Sequence, residues 1–295
     1  MAVRARPIIR ALLIDISGTL MIGSTPTGRV VEALAELRRI GFPFRFCSNT
    51  SKESTSVLQK RMLDAGFDVR ESQELWTSLK AVRSLIQSRG LRRPYFLLSE
   101  SAKDECRLDL HDTNVPYDAV IVGLAPALFD YDHLNSAFRV LIGEEDDDDD
   151  DSQKERNGSE DPKASIPLIA LHKARYIESS GGHGLALGPG PFVAALENAT
   201  GREAEVLGKP SKGFFSTVIE SLDVEGPDSE GCIAVIGDDI QTDLGGGAIE
   251  LCLWRILVKT GKYRSGDECK DGVHAPDEVC DSFADFVDSL LSCLK

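Results

Sequence analysis

No stretch of the 295-residue chain stays apolar over the roughly 20 residues that a membrane helix needs, so no membrane partner is expected. Positive charge is also scarce. The 33 lysines and arginines stand against 48 aspartates and glutamates, a net charge of −15. A surface of that sign repels phosphodiester backbones, which excludes nucleic-acid binding driven by charge. Cysteine occurs seven times but never as C-x-x-C, so neither a metal-binding knuckle nor a disulfide framework is indicated and reduced thiols are expected. The first ten residues hold three arginines and lack the apolar segment and small-residue cleavage site of a secretory signal, so a cytoplasmic address is the expectation. Neither a P-loop nor a dinucleotide fingerprint is present.

What remains is a globular composition, 42% hydrophobic and 27% charged, long enough for two domains. Residues 8–16, IIRALLIDI, form a nearly continuous apolar run of the kind a strand buried on both faces requires. Thr25-Pro26 reads as a cap and first turn of a helix whose apolar positions Val30, Val31, Leu34, Leu37 and Ile40 recur at helical spacing. Residues 44–47 read as a second strand and Val57, Leu58, Met62 and Ala65 as a second helical face. Strands return at 232–236 and 253–258. Alternating strands and helices imply an α/β fold, a doubly wound parallel sheet of Rossmann-like type.

Between these halves a stretch with strands and helices of its own reads as an inserted α/β cap at residues 94–203, leaving a core of residues 1–93 and 204–295. Within the insert, residues 143–165 are poor in apolar side chains, and 144–151 are eight consecutive acids. This segment is expected to be a disordered, solvated loop.

In an open parallel sheet, polar residues just beyond the carboxyl ends of strands mark the ligand site. Three clusters fall there: Asp15 and Ser17, Ser48 and Asn49, and Asp238 to Asp243. An aspartate at the end of a buried strand needs something to compensate its charge. Asp15, Asp238 and Asp243 converging on one place would suit magnesium, and Mg²⁺ binds phosphate. Lys209, between Gly208 and Pro210, adds a positive charge, and Ser48 adds a hydroxyl. Alternatively, Asp15 caps its turn, Ser48 and Asn49 cap the helix that follows, and Asp239 is a turn residue. Cys47 reads as core packing.

Taken in order and spacing, Asp15-Ile16-Ser17-Gly18-Thr19, Ser48-Asn49, Gly208-Lys209-Pro210 and Gly237-Asp238-Asp239 with Asp243 resemble the four motifs of the haloacid dehalogenase-like hydrolases. The position of the insert resembles the subfamily with a large α/β cap, which includes the para-nitrophenylphosphatase-like enzymes. The resemblance implies a phosphatase. Asp15 would attack phosphorus and become an aspartyl-phosphate. Mg²⁺ would sit between Asp15, the backbone carbonyl of Ser17 and Asp238, with Asp243 orienting its shell. Lys209 and Ser48 would stabilise the transferring phosphoryl group, and Asn49 would position it. His172 and Lys173, after a cap strand, are candidates for reading a small phosphorylated substrate. Caps in this family can pair between subunits, so a homodimer through the cap is allowed.

Ser17 departs from the pattern. Family phosphatases usually place a second aspartate there, which protonates the leaving oxygen and later activates water. Serine does neither well at neutral pH, and acid–base help of that kind contributes roughly 10²- to 10⁴-fold. Either the substrate carries a leaving group needing little protonation, such as pyrophosphate, an acyl phosphate or a phosphoramidate, or the protein is a catalytically weak phosphoryl- or partner-binding protein.

Overall fold

In a computed structural model of the chain, the apolar run at residues 8–16 forms the strand Ile9–Asp15, which lies at the centre of a six-stranded sheet. The structure describes residues 5–70, 72–107, 115–144, 166–178, 184–222, 224 and 231–294. Across the sheet the order is Glu278–Cys280, Trp254–Val258, Cys232–Gly237, Ile9–Asp15, Phe44–Ser48 and Leu75–Thr77, and every pairing is parallel. Side chains from Ile9–Asp15 alternate between two apolar layers. Leu12 and Ile14 pack with the helices Val30–Arg39 and Phe283–Cys293, while Ala11 and Leu13 pack with Phe214, Phe215 and Val218 of the helix Lys212–Glu220. Burial on both faces explains why the strand reads as a continuous apolar run.

A second parallel sheet, ordered Glu205–Val206, Leu168–Ala170, Ala119–Val122 and Pro94–Leu97, carries the inserted cap. Elements flanking residues 94–203 on both sides pack or pair with it. The helix Ser78–Arg89 sends Leu79, Val82 and Ile86 into the same apolar cluster as Leu98, Ala102, Ile121 and Ile169, so its packing is with the cap. The strand Glu205–Val206, expected in the core, completes the cap sheet by pairing with Ile169 and Ala170. From residue 145 onward the expected acidic loop lies outside the described residues.

Two local expectations are corrected. Thr25-Pro26 does not start a helix; it pairs with Met21–Ile22 as a small hairpin, and the Thr27 hydroxyl donates to the Thr19 and Leu20 carbonyls. The helix begins at Val30 instead. Likewise Ser48 and Asn49 do not cap the next helix, which runs Thr55–Asp64 and is capped by the Ser54 hydroxyl accepting from the Val57 amide. That leaves Ser48 and Asn49 in the loop at the sheet's carboxyl edge. Among the described residues no helix is long and apolar enough to cross a membrane.

Candidate active site

Parallel register brings the strand ends together. Asp15 pairs in register with Cys47, and Ile14 with Ile236, so Asp15, Ser48 and Asp238 emerge at one edge of the sheet. Asp243 joins them from the turn that follows, where its Oδ2 accepts from the Asp239 amide at 3.1 Å. The ligand oxygens of Asp15, Asp238 and Asp243 all lie within 4.8 Å of one another, and all three residues are buried.

Lys209 is driven into this acidic centre. Its ammonium donates to Asp15 Oδ1 at 2.5 Å and to the Cys47 carbonyl at 3.1 Å, and it stands 2.8 Å from Asp243 Oδ1. Two of its donors are thus given to Asp15 and Cys47, and Asp243 adds the charge of a second carboxylate. Thr19 Oγ1 donates to the other carboxylate oxygen of Asp15 at 2.9 Å, which fixes the rotation of the group. Burial, and next the neighbouring charge of Asp243, push the Asp15 carboxyl up to about 6, although Lys209 pulls the other way. Burial also raises Asp238 well above the carboxylate range. For Lys209 burial acts against the charged form, but Asp15 and Asp243 prevail and hold the lysine protonated.

Acidic charge in this centre outweighs the ammonium groups that face it. Asp238 shows the imbalance most directly, because its Oδ2 accepts from the Lys262 amide at 2.6 Å while its buried Oδ1 has no hydrogen-bond partner. A buried carboxylate oxygen without a donor, beside two further carboxylates, fits a hard divalent cation with oxygen ligands.

The other expected site residues divide. Ser17, Asn49, His172 and Lys209 line one cavity of about 330 Å³, together with Asp15 and Asp243. Asn49 faces Lys209 with both ends of its amide: Nδ2 donates to the Lys209 carbonyl at 2.8 Å and Oδ1 accepts from the Lys209 amide at 2.9 Å. It therefore holds the lysine's backbone across the core–cap junction. The Ser48 hydroxyl donates to Thr50 Oγ1 and accepts from the Thr50 amide, so it braces the loop. Lys173 turns away from this cavity and pairs with Glu197 at 2.8 Å.

His172 reaches from the cap to the core loop, where Nε2 lies 3.2 Å from the Ser51 hydroxyl and Nδ1 accepts from the Ala174 amide. That acceptor role assigns the proton to Nε2. Burial, with the charges of Lys262 and Lys209 as lesser causes, holds the ring down to about 3. Such a folded-state value lies below the ordinary 6.5, so the unfolded chain binds a proton that the folded one refuses. Stability therefore falls as pH drops from about 6.5 towards 3, with a limiting slope of about 1.4 kcal/mol per pH unit for one proton. Because Asp15 and Asp238 contribute with the opposite sign over part of that range, the His172 share is read as the difference between urea denaturation profiles of the wild type and H172Q, which should grow by that amount per pH unit; identical profiles would refute the assignment.

Sequence patterns passed over three contributors. Thr19 and Ser51 are small hydroxyl residues with no distinctive spacing, and Lys262 follows a strand in a loop where lysines are commonplace. The loop holding Lys262 is tied to the Asp15 turn, because Thr260 Oγ1 donates to the Gly18 carbonyl at 2.5 Å. Gly18 has φ +92°, and a Cβ there would run into the Asp238 carboxylate. Gly18→Ala is expected to lower stability by roughly 1–3 kcal/mol through backbone strain and to cut turnover more than tenfold by displacing Asp238. Unfolding titrations and rates with wild-type values would remove the argument.

Comparison with known proteins agrees with this geometry. Residues 12–109 match the haloacid dehalogenase-like hydrolases and residues 206–286 a family described as HAD-hydrolase-like. The chain belongs to the haloacid dehalogenase-like hydrolases. It is 40% identical to the haloacid dehalogenase-like hydrolase domain-containing protein 2 of Rattus norvegicus, over 98% of this chain and 99% of the relative. With the Homo sapiens phospholysine phosphohistidine inorganic pyrophosphate phosphatase it shares 36% identity over 96% of this chain and 94% of that protein. In fold it is similar to the 4-nitrophenylphosphatase of Thermotoga maritima, with a TM-score of 0.78 at 21% identity, covering 96% of this chain and 97% of the other. The glycerol phosphate phosphatase of Mycobacterium tuberculosis, solved in complex with magnesium, gives 0.71 at 22% identity, covering 96% and 76%.

Proposed function

We propose that this phosphatase passes the phosphoryl group of a small substrate through Asp15, with Mg²⁺ held by Asp15, Asp238 and the Ser17 carbonyl and with Asp243 beside it. The observation that carries the reading is the state of Asp15: a buried carboxylate on the wall of a cavity, one oxygen on Lys209 and the other on Thr19. Magnesium supplies positive charge that offsets the repulsion between a carboxylate and a phosphate dianion. The chain supplies the rest. An oxygen of Asp15 forms the new bond to phosphorus while the bond to the leaving atom breaks, its electron pair staying on that atom. Lys209 lies where negative charge accumulates, and Asn49 keeps it there. Water then attacks phosphorus, the aspartyl oxygen recovers its electron pair, and the released phosphate carries the surplus proton into solvent. His172 and Ser51 close the cap side of the cavity, which limits the water that reaches Asp15.

Ser17 lines the same cavity and brings no carboxylate to it. Substrates whose leaving group requires little protonation are therefore favoured: pyrophosphate, acyl phosphates and phosphoramidates over sugar phosphates. The experiment is a rapid acid quench of enzyme with radiolabelled pyrophosphate or acetyl phosphate, with and without magnesium. A labelled peptide containing Asp15, formed only with the metal, is expected, together with a sugar-phosphate rate at least about 10²-fold lower. Vigorous turnover of the sugar phosphate would defeat the preference. Phosphate binding with neither adduct nor turnover would establish the second reading, a catalytically weak phosphoryl-binding protein, which the serine at position 17 favours.

A further inference from the structure

One ammonium at the cavity has capacity to spare. Lys262 lines it beside Ser17, Thr242 and Asp243. Among the described residues its Nζ meets one acceptor, Asp239 Oδ2 at 3.1 Å, and its side chain is only 15% exposed. Two of its three donors are therefore left without a protein partner, at a place where water is restricted. Lys209 differs, since its ammonium is bonded to Asp15 and the Cys47 carbonyl and paired with Asp243.

The position of Lys262 is also fixed. Its own amide donates to Asp238 Oδ2, and two residues earlier Thr260 is bonded to the Gly18 carbonyl, so the lysine is held against the turn that carries Ser17. Asp239, which pairs with the ammonium, is itself anchored by accepting from the Gln241 and Thr242 amides at 3.0 Å. A lysine head therefore stands on the same cavity wall as Ser17, the position where a carboxylic acid would have delivered a proton.

We propose that Lys262 contacts the departing group and neutralises it by charge rather than by proton transfer, so that the enzyme serves diphosphates and acyl phosphates, whose leaving groups depart as anions. This rests on Asp15 as the phosphoryl acceptor and narrows the substrate class. With pyrophosphate, the bridging P–O bond breaks as Asp15 bonds to phosphorus, and the departing phosphate keeps the electron pair opposite the ammonium. No proton from the chain is needed. A phosphoramidate already protonated on nitrogen releases a neutral amine and draws little benefit from a cation.

The test compares kcat/KM for pyrophosphate, acetyl phosphate and N-phosphorylated imidazole in the wild type, K262M and K262R, alongside thermal melting of each. K262M is expected to lose roughly 10²- to 10³-fold on pyrophosphate and acetyl phosphate and less than about tenfold on the phosphoramidate, with K262R recovering most of the loss. Equal losses on both classes, or none, overturn the proposal. Should K262M not fold, a series of aryl phosphates on the wild type decides the matter. A shallow dependence of rate on leaving-group pKa with no solvent deuterium isotope effect supports charge neutralisation, and a steep dependence, or a shallow one with an isotope effect, refutes it. D15N run in parallel separates the two levels: activity surviving in D15N defeats the phosphoryl acceptor itself, whereas abolished D15N activity with an unselective K262M defeats only the role of Lys262.

Discussion

Asp15→Asn is expected to abolish turnover on every substrate, by roughly four orders of magnitude or more, while leaving the protein folded. The carboxamide keeps the shape of the side chain and can still accept from Thr19, but it offers no anionic oxygen to phosphorus. Folding should not suffer, because the native carboxylate is an electrostatic burden. Its folded value of about 6 exceeds the ordinary 3.8, so the folded state holds a proton more tightly than the unfolded chain does. The contribution of this group to stability is therefore greatest below 3.8, declines as pH rises through about 6, and stays lost above that. In metal-free buffer at pH 7.5 the Asn variant should melt at or above the wild-type temperature. A much lower melting temperature would mean that Lys209 depends on Asp15 more than the Asp243 and Cys47 contacts allow, and retained turnover would remove Asp15 from the chemistry.

Lys209→Met should do the opposite to stability. It leaves the buried carboxylates of Asp15 and Asp243 without the ammonium that links them, and breaking a buried ion pair from one side costs roughly 3–5 kcal/mol. The stem of methionine fills part of the space, so the loss comes mainly from uncompensated charge. Two rescues follow from that cause. Lowering the pH towards 5 protonates Asp15 and should return part of the stability, and magnesium should return part at neutral pH. Urea denaturation at pH 7.5 and at pH 5 reads both. Turnover should fall by at least about 10²-fold even where the variant is folded, since the phosphoryl oxygens lose their cation. A variant as stable as the wild type at pH 7.5 would show that the carboxylates are neutral without the lysine.

The fold was legible where burial is complete. Residues 8–16 and 232–236 are almost wholly apolar because helices cover both faces of those strands, and the acids at their ends are visible against that background. The strand Glu205–Val206 is short and half-buried, so nothing in its side chains reveals which sheet it joins; only its pairing with Ile169 and Ala170 does. Helix starts misled for a similar reason. Thr25-Pro26 has the residues of a cap, but hairpin pairing with Met21–Ile22 took those residues first. In the site, Asp15, Lys209, Asp238 and Asp243 were readable as charged residues at strand ends. Asn49 was readable only as a polar residue, since its clamp on Lys209 joins segments 160 positions apart. Lys262 was the hardest, because one lysine in a loop says nothing until the loop is seen bonded to Gly18 and Asp238.

The cap's outermost strand ends at Val206, and only Leu207 and Gly208 intervene before Lys209. Both intervening amides are bonded into the cap, to the Ala170 and Leu171 carbonyls, while the lysine head is sunk in the core. A tether of two residues, both amides spoken for, thus joins the sheet of one lobe to the charged centre of the other.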